Sequence, residues 1–137
     1  MTDESPLLRQ KFDQRVIGGS RHAVARLAAA AGLYGQRLDD FVLAVNEMMT
    51  NAVRHAGGRG MLTLWCADSI LHCEVTDNGR GIPAERLQPQ RRPSTLAVSG
   101  RGLWLARHLC DSVTINTGPH GTKVLLRIGL AARRQSA

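Results

Sequence analysis

The chain has 137 residues, of which 43% are hydrophobic and 21% charged, with a formal net charge of +7. That is room for one globular domain with a core of its own, needing neither disulfides nor metal to staple it. No apolar run approaches the ~20 residues of a membrane-spanning helix, and Met1–Pro6 is acidic and polar where a secretory signal needs a basic start, so a cytoplasmic protein without a membrane partner is expected.

Residues 1–10 read as a flexible N-terminus, 11–130 as the folded domain and 131–137 as a basic tail. Phe12–Ile17 alternates weakly and predicts a short strand. Gly18-Gly19-Ser20 offers a turn with Ser20 as helix N-cap, and the Ala-rich stretch Arg21–Ala31 predicts a helix closed by Gly32. From Gln36 to His55, Leu38, Phe41, Val42, Val45, Met48, Met49, Ala52 and Val53 recur at steps of three and four. That is the pattern of a longer amphipathic helix, which Gly57-Gly58 ends. Met61–Ala67 and Ile70–Thr76 predict two strands around a tight turn at Asp68-Ser69. Asp77–Pro83 cannot continue a strand, and the polar stretch to Ser99, with Pro89 and Pro93, extends the loop. Leu103–Cys110 has helical spacing, and Val113–Asn116 and Thr122–Ile128 alternate as strands on either side of Gly118–Gly121. This order predicts an α+β fold, a two-layer sandwich with helices covering one face of a largely antiparallel sheet.

Cys66, Cys73 and Cys110 are odd in number and lack metal-ligand spacing, so they read as reduced thiols packed as small hydrophobes. The five histidines are scattered, with no pair at the spacing a zinc site uses. The positive excess is local. Arg86, Arg91, Arg92 and Arg101 fall in an acid-free stretch, and Arg133 and Arg134 lie in the tail. Such a cluster suits a bound polyanion or an acidic partner, or merely reflects an arginine-rich composition. No groove-reading motif accompanies it, which argues against direct nucleic-acid binding.

Four groups of residues carry chemistry. Glu47, Asn51 and His55 lie four apart and so share one edge of the long helix. A carboxylate and a carboxamide there can activate a hydroxyl and hold magnesium through oxygen, or simply form a solvated polar edge. Asp77-x-Gly79-x-Gly81 follows a strand directly. Its aspartate can accept a hydrogen bond from a purine amine, with glycines allowing close approach to a flat ring, or the motif is an ordinary turn. Gly100-Arg101-Gly102-Leu103 opens a helix and suits an anion, although a lone Gly-x-Gly is usually a turn. Thr122, after Gly121, begins the last strand and can reach a base or its bridging water.

Taken together, Glu47-x-x-x-Asn51-Ala52-x-x-His55-Ala56, Asp77-x-Gly79-x-Gly81-Ile82-Pro83, Ser99-Gly100-Arg101-Gly102-Leu103-x-Leu105 and Gly121-Thr122 resemble the N, G1 and G2 boxes and terminal threonine of the GHKL (Bergerat-fold) ATP-binding superfamily. Within it the chain most resembles the small bacterial anti-sigma-factor serine/threonine kinases, over residues 12–128. The resemblance implies a sandwich with helices on one face of a mixed, mostly antiparallel sheet. It implies ATP and magnesium as cofactors, with Glu47 as catalytic base and Asn51 coordinating the magnesium. The implied ATP-binding set is Asn51, His55, Asp77, Gly79, Gly81, Ile82, Gly100, Arg101, Gly102, Leu103 and Thr122. Within that set Asp77 and Thr122 read adenine, while Gly100, Gly102 and the following helix bind phosphate under a lid. The phosphate motif departs from the family in carrying Arg101 where a smaller or apolar residue is common. The implied partners are a sigma factor, a STAS-type anti-anti-sigma protein and a second copy in a homodimer.

Two other functions fit the same fold. A nucleotide-gated binding regulator would sequester its partner without transferring phosphate. A histidine-kinase catalytic module usually carries Asn where Glu47 stands, and needs a phosphoacceptor histidine on an upstream helical pair. His22 is followed by Ala23 rather than an acid.

Overall fold

A computed structural model of the chain describes residues 6–55, 57–79 and 98–130. Five strands, β1 (Leu8–Asp13), β2 (Arg59–Ala67), β3 (Ile70–Asp77), β4 (Ser112–Gly118) and β5 (Gly121–Gly129), form one sheet in the order β1-β2-β3-β5-β4. Helices α1 (Ile17–Ala31), α2 (Gly35–His55) and α3 (Val98–Leu109) pack against it. The expected layering is present. Every strand pairing among the described residues is antiparallel, so the parallel member of a mixed sheet is not among them.

Alternation along the strands builds the core. Leu62 and Leu64 of β2, Leu71, Cys73 and Val75 of β3, and Val124, Leu126 and Ile128 of β5 all turn to one face and are buried. α2 lies at the centre of the helical layer and contributes Phe41, Ala44, Val45, Met48, Met49 and Ala52. Each large side chain removed from water in this way is worth roughly 1.5–3 kcal/mol, so the stripe read from the sequence is what seats α2 on the sheet. Arg37 fixes the other end of α2: its Nη2 donates to Asp111 Oδ2 at 3.0 Å and to the Gly129 carbonyl at 2.8 Å. The Gly129 N–H donates to the same carboxylate oxygen at 2.7 Å. Partial burial alone would raise the Asp111 carboxyl, but the Gly129 N–H and the Arg37 guanidinium outweigh it and hold the group below its ordinary value.

Several boundaries differ from the expected ones. β1 begins at Leu8 rather than Phe12, and so takes in residues assigned to a flexible terminus. Its register places Leu8, Gln10 and Phe12 opposite Leu64, Leu62 and Gly60, which buries Phe12 in the core. Ile17 therefore starts α1. Ser20 is no cap: it is fully buried inside the helix, and its hydroxyl donates to Gln10 Oε1 at 3.1 Å. Val16 occupies the N-cap position without a side-chain bond, and Gly32 closes the helix as expected. The β2–β3 turn falls at Asp68 and Ser69, both with positive φ. Two of the three cysteines behave as expected. Burial, with the Asp111 charge adding to it, pushes the Cys110 thiol up to about 12, and burial raises Cys73 as well. Cys66 is exposed. No described helix is long and apolar enough to cross a membrane.

Candidate functional site

On its helix-facing side the sheet carries apolar rows that run across β3, β5 and β4. Cys73 faces Leu126, which faces Val113; one step along, Val75 faces Val124, which faces Ile115. The next row, at the end of β3, is polar: Asp77, Thr122 and Thr117. The polar row is tightly organised. Asp77 Oδ1 accepts the Gly79 N–H at 2.8 Å and the Thr122 N–H at 3.2 Å. Both bonds go to one oxygen, and among the described residues Oδ2 takes none, so the carboxylate is oriented with its second oxygen available to an outside donor. Thr122 is 7% exposed, and its hydroxyl pairs with that of Thr117 at 2.8 Å.

This arrangement depends on Gly121. Its φ is +142°, a conformation that L side chains rarely adopt, and a Cβ there would overlap the Asp77 carbonyl oxygen. Only glycine lets β5 begin close enough to β3 for the Thr122 amide to reach Asp77. A hollow of about 310 Å³ opens beside the β4–β5 hairpin, with Asp77, Thr122, Thr76, Asn116, His120 and Lys123 among its walls.

The second group lies where α2 packs on α3. Glu47 is 8% exposed and Asn51 half-buried, so this edge of α2 is covered rather than solvated. At Gly102 of α3, a Cβ would sit 2.9 Å from Asn51 Nδ2 and 3.4 Å from Glu47 Oε1. The missing side chain is what gives the carboxamide and carboxylate their room between the helices. Here the structure corrects the expectation for the Gly100–Leu103 motif. α3 begins at Val98, so Gly100 and Gly102 lie within the helix rather than in a loop before it. At Gly102, close packing against α2 rewards the smallest residue even though its intrinsic helix propensity is poor. Leu103 points into the core at 3% exposure.

The predicted residues therefore fall into two sets: Asp77, Gly79 and Thr122 at the sheet end, and Glu47, Asn51 and Gly102 between α2 and α3. Gly81, Ile82 and the arginines at 86, 91 and 92 lie outside the described residues, as do the side chains of His55 and Arg101. Sequence reasoning left two participants out of the site. Thr117 enters only through strand pairing, whereas Gly121 carried a signal in its place directly before Thr122. Among the described residues no group of three acidic, histidine or cysteine side chains forms a metal cage.

A sheet backed by three helices, with an oriented aspartate at a strand end and an acid–amide pair on the central helix, defines a class. Residues 12–128 match the family described as the histidine kinase-like ATPase domain, and the chain belongs to that family. Within it, the chain is similar to the proteins named serine-protein kinase RsbW and anti-sigma F factor. It is 25% identical to RsbW of Oceanobacillus iheyensis over 122 residues, covering 80% of this chain and 77% of that one. It is 27% identical to the anti-sigma F factor of Clostridium acetobutylicum over 137 residues, covering 88% and 94%. Among solved structures, the RsbU and RsbW domains of Rv1364c from Mycobacterium tuberculosis match with a TM-score of 0.70 at 22% identity. That match covers 97% of this chain but only 34% of the other, and it is a likeness of fold.

Proposed function

We propose that this protein is an ATP- and magnesium-dependent serine/threonine protein kinase of the anti-sigma type. It would hold a sigma factor and phosphorylate a STAS-type anti-anti-sigma antagonist. The observation that carries the reading is Glu47: a carboxylate withdrawn from solvent, one helical turn before Asn51 and beside the same glycine of α3. A solvated helix edge has no use for such burial, whereas a general base must be held near its proton donor. The names of the relatives support the acceptor class, since serine-protein kinase and anti-sigma factor both occur among them.

On this reading Asp77 Oδ2 accepts a hydrogen from the exocyclic amine of adenine, with Oδ1 already fixed by two backbone N–H groups. Asn51 supplies a side-chain oxygen suited to magnesium, a hard cation that takes oxygen ligands and leaves its other positions to phosphate and water. Magnesium, when bound, neutralises charge on the phosphates. Glu47 takes the proton of a partner's serine hydroxyl as its oxygen bonds to the γ-phosphorus. The bond from that phosphorus to the β–γ bridging oxygen breaks, and ADP leaves.

The test is incubation of the purified chain with labelled ATP, magnesium and a STAS-type protein. Phosphoserine on that protein is expected. ATP binding and complex formation without transfer would favour the nucleotide-gated binder instead. Indifference to adenine nucleotides at millimolar concentration would overturn both.

A further inference from the structure

We infer that the free edge of β4 takes up an extended, acidic segment of a partner protein as an added antiparallel strand. The inference is independent of the nucleotide reading above. Among the described strands, β1 and β4 lie at the two edges of the sheet. β1 is guarded: it carries Arg9, Lys11 and Asp13, and charges on an edge discourage further pairing. β4 runs Ser-Val-Thr-Ile-Asn-Thr-Gly, with no charge and no proline, and pairs one for one with β5. An edge of that composition is a template for another strand.

The β4–β5 hairpin fixes which groups the edge presents. Pro119 and His120 alone separate the opposed Gly118 and Gly121, so these two glycines exchange both backbone hydrogen bonds. Alternation from there turns the N–H and C=O of Val113 and Ile115 away from β5, toward the free edge. Their side chains lie on the helix face of the sheet, opposite Leu126 and Val124, and are only partly buried. The other face along this edge is polar, with Thr114 and Asn116 exposed. Over it lies Arg127 of β5, whose Nη1 donates to Ser112 Oγ and Thr114 Oγ1, both at 3.4 Å. The guanidinium thus reaches across β4 toward the edge, and among the described residues no carboxylate pairs with it. An added strand suits this edge when it sets apolar residues opposite Val113 and Ile115 and a carboxylate beside Arg127. A second β4 fits poorly, since it brings another Arg127 to the seam and no carboxylate.

The experiment is a fluorescence-anisotropy titration of the chain with a labelled peptide as long as β4 that alternates glutamate and valine. Saturable binding is expected. Methylating the valine amides, which face β4 in an antiparallel addition, should weaken it about 10-fold or more. Methylating the glutamate amides, which face away, should leave it unchanged. Replacing glutamate by glutamine should cost about 2- to 5-fold on the wild-type chain, the range of a partly exposed ion pair, and nothing on Arg127→Gln. No saturation at millimolar peptide, equal losses from the two methylations, or a glutamate preference that survives Arg127→Gln would each overturn the inference. So would a dimer of the chain that the peptide dissociates in sedimentation, because the edge would then belong to a second copy.

Discussion

At the sheet end, position is set by backbone: two N–H groups hold one oxygen of Asp77, and a glycine lets the strands close to the required distance. Between α2 and α3, position is set by packing, since Glu47 and Asn51 stand where the absence of a side chain at Gly102 leaves them room. On the proposed reading, the first arrangement orients a group that only has to recognise the base, and the second holds the groups that would carry out the transfer. Damage to the two regions should accordingly be of different kinds, steric and global at the sheet end, chemical and local along the helix.

The largest expected effect is chemical. Glu47→Gln keeps the size of the side chain and removes its basicity, so phosphate transfer should fall by about 100- to 10,000-fold, the usual worth of a general base. ATP affinity should stay within a few fold. Unchanged transfer in a single-turnover assay would take Glu47 out of the mechanism. Next comes Gly121→Ala, where a residue is forced into a rare backbone region and against the Asp77 carbonyl. A loss of about 2–4 kcal/mol in denaturant unfolding is expected from strain and overpacking together, with nucleotide binding weakened in parallel. Gly102→Ala should cost less, about 1 kcal/mol, because the atoms it meets include the ends of flexible side chains that can give way. Its mark should be a raised KM for magnesium-ATP with adenosine affinity unchanged, and equal losses on both ligands would contradict the helix-flank assignment.

The smallest effect lies away from both regions and serves as their control. The Asp111 carboxyl is held below its ordinary value of 3.8 in the folded chain. Its contribution is complete above that value and is lost as pH falls through the lower, folded-state one. Asp111 and Arg37 are 52% and 43% exposed, so solvent screening keeps the contribution under about 1 kcal/mol. Asp111→Asn should lower the unfolding midpoint slightly at pH 7, and the gap to wild type should close as pH is taken progressively below 3.8.

Much of the fold was legible because periodicity is a local signal. The α2 stripe and the strands on either side of Asp68-Ser69 came directly from it. Errors arose where a residue's local preference was overruled by something distant in sequence. Ser20 has the chemistry of a cap but is fixed by Gln10 of the neighbouring strand. Gly100 and Gly102 have poor helix propensity, yet both sit in a helix, and at Gly102 its packing on α2 needs the smallest residue. β1 is an edge strand whose start is set by pairing with Leu64 rather than by its own weak alternation. Within the site, Asp77, Gly79 and Thr122 were recoverable from motif order. Thr117 was not, because its role exists only once β4 and β5 are laid side by side.

The polar row of Asp77, Thr122 and Thr117 ends the same three strands whose preceding rows are the floor of the core. The row and the cooperative core therefore share one scaffold, and any molecule that the row grips in the native state alone must raise the melting temperature. At a concentration 100 times its Kd, such a ligand adds about 2.7 kcal/mol. For a domain of this size that is an upward displacement of roughly 5–15 °C. A dye-based thermal screen of purine compounds would rank the preferences of the row without any partner protein in the tube.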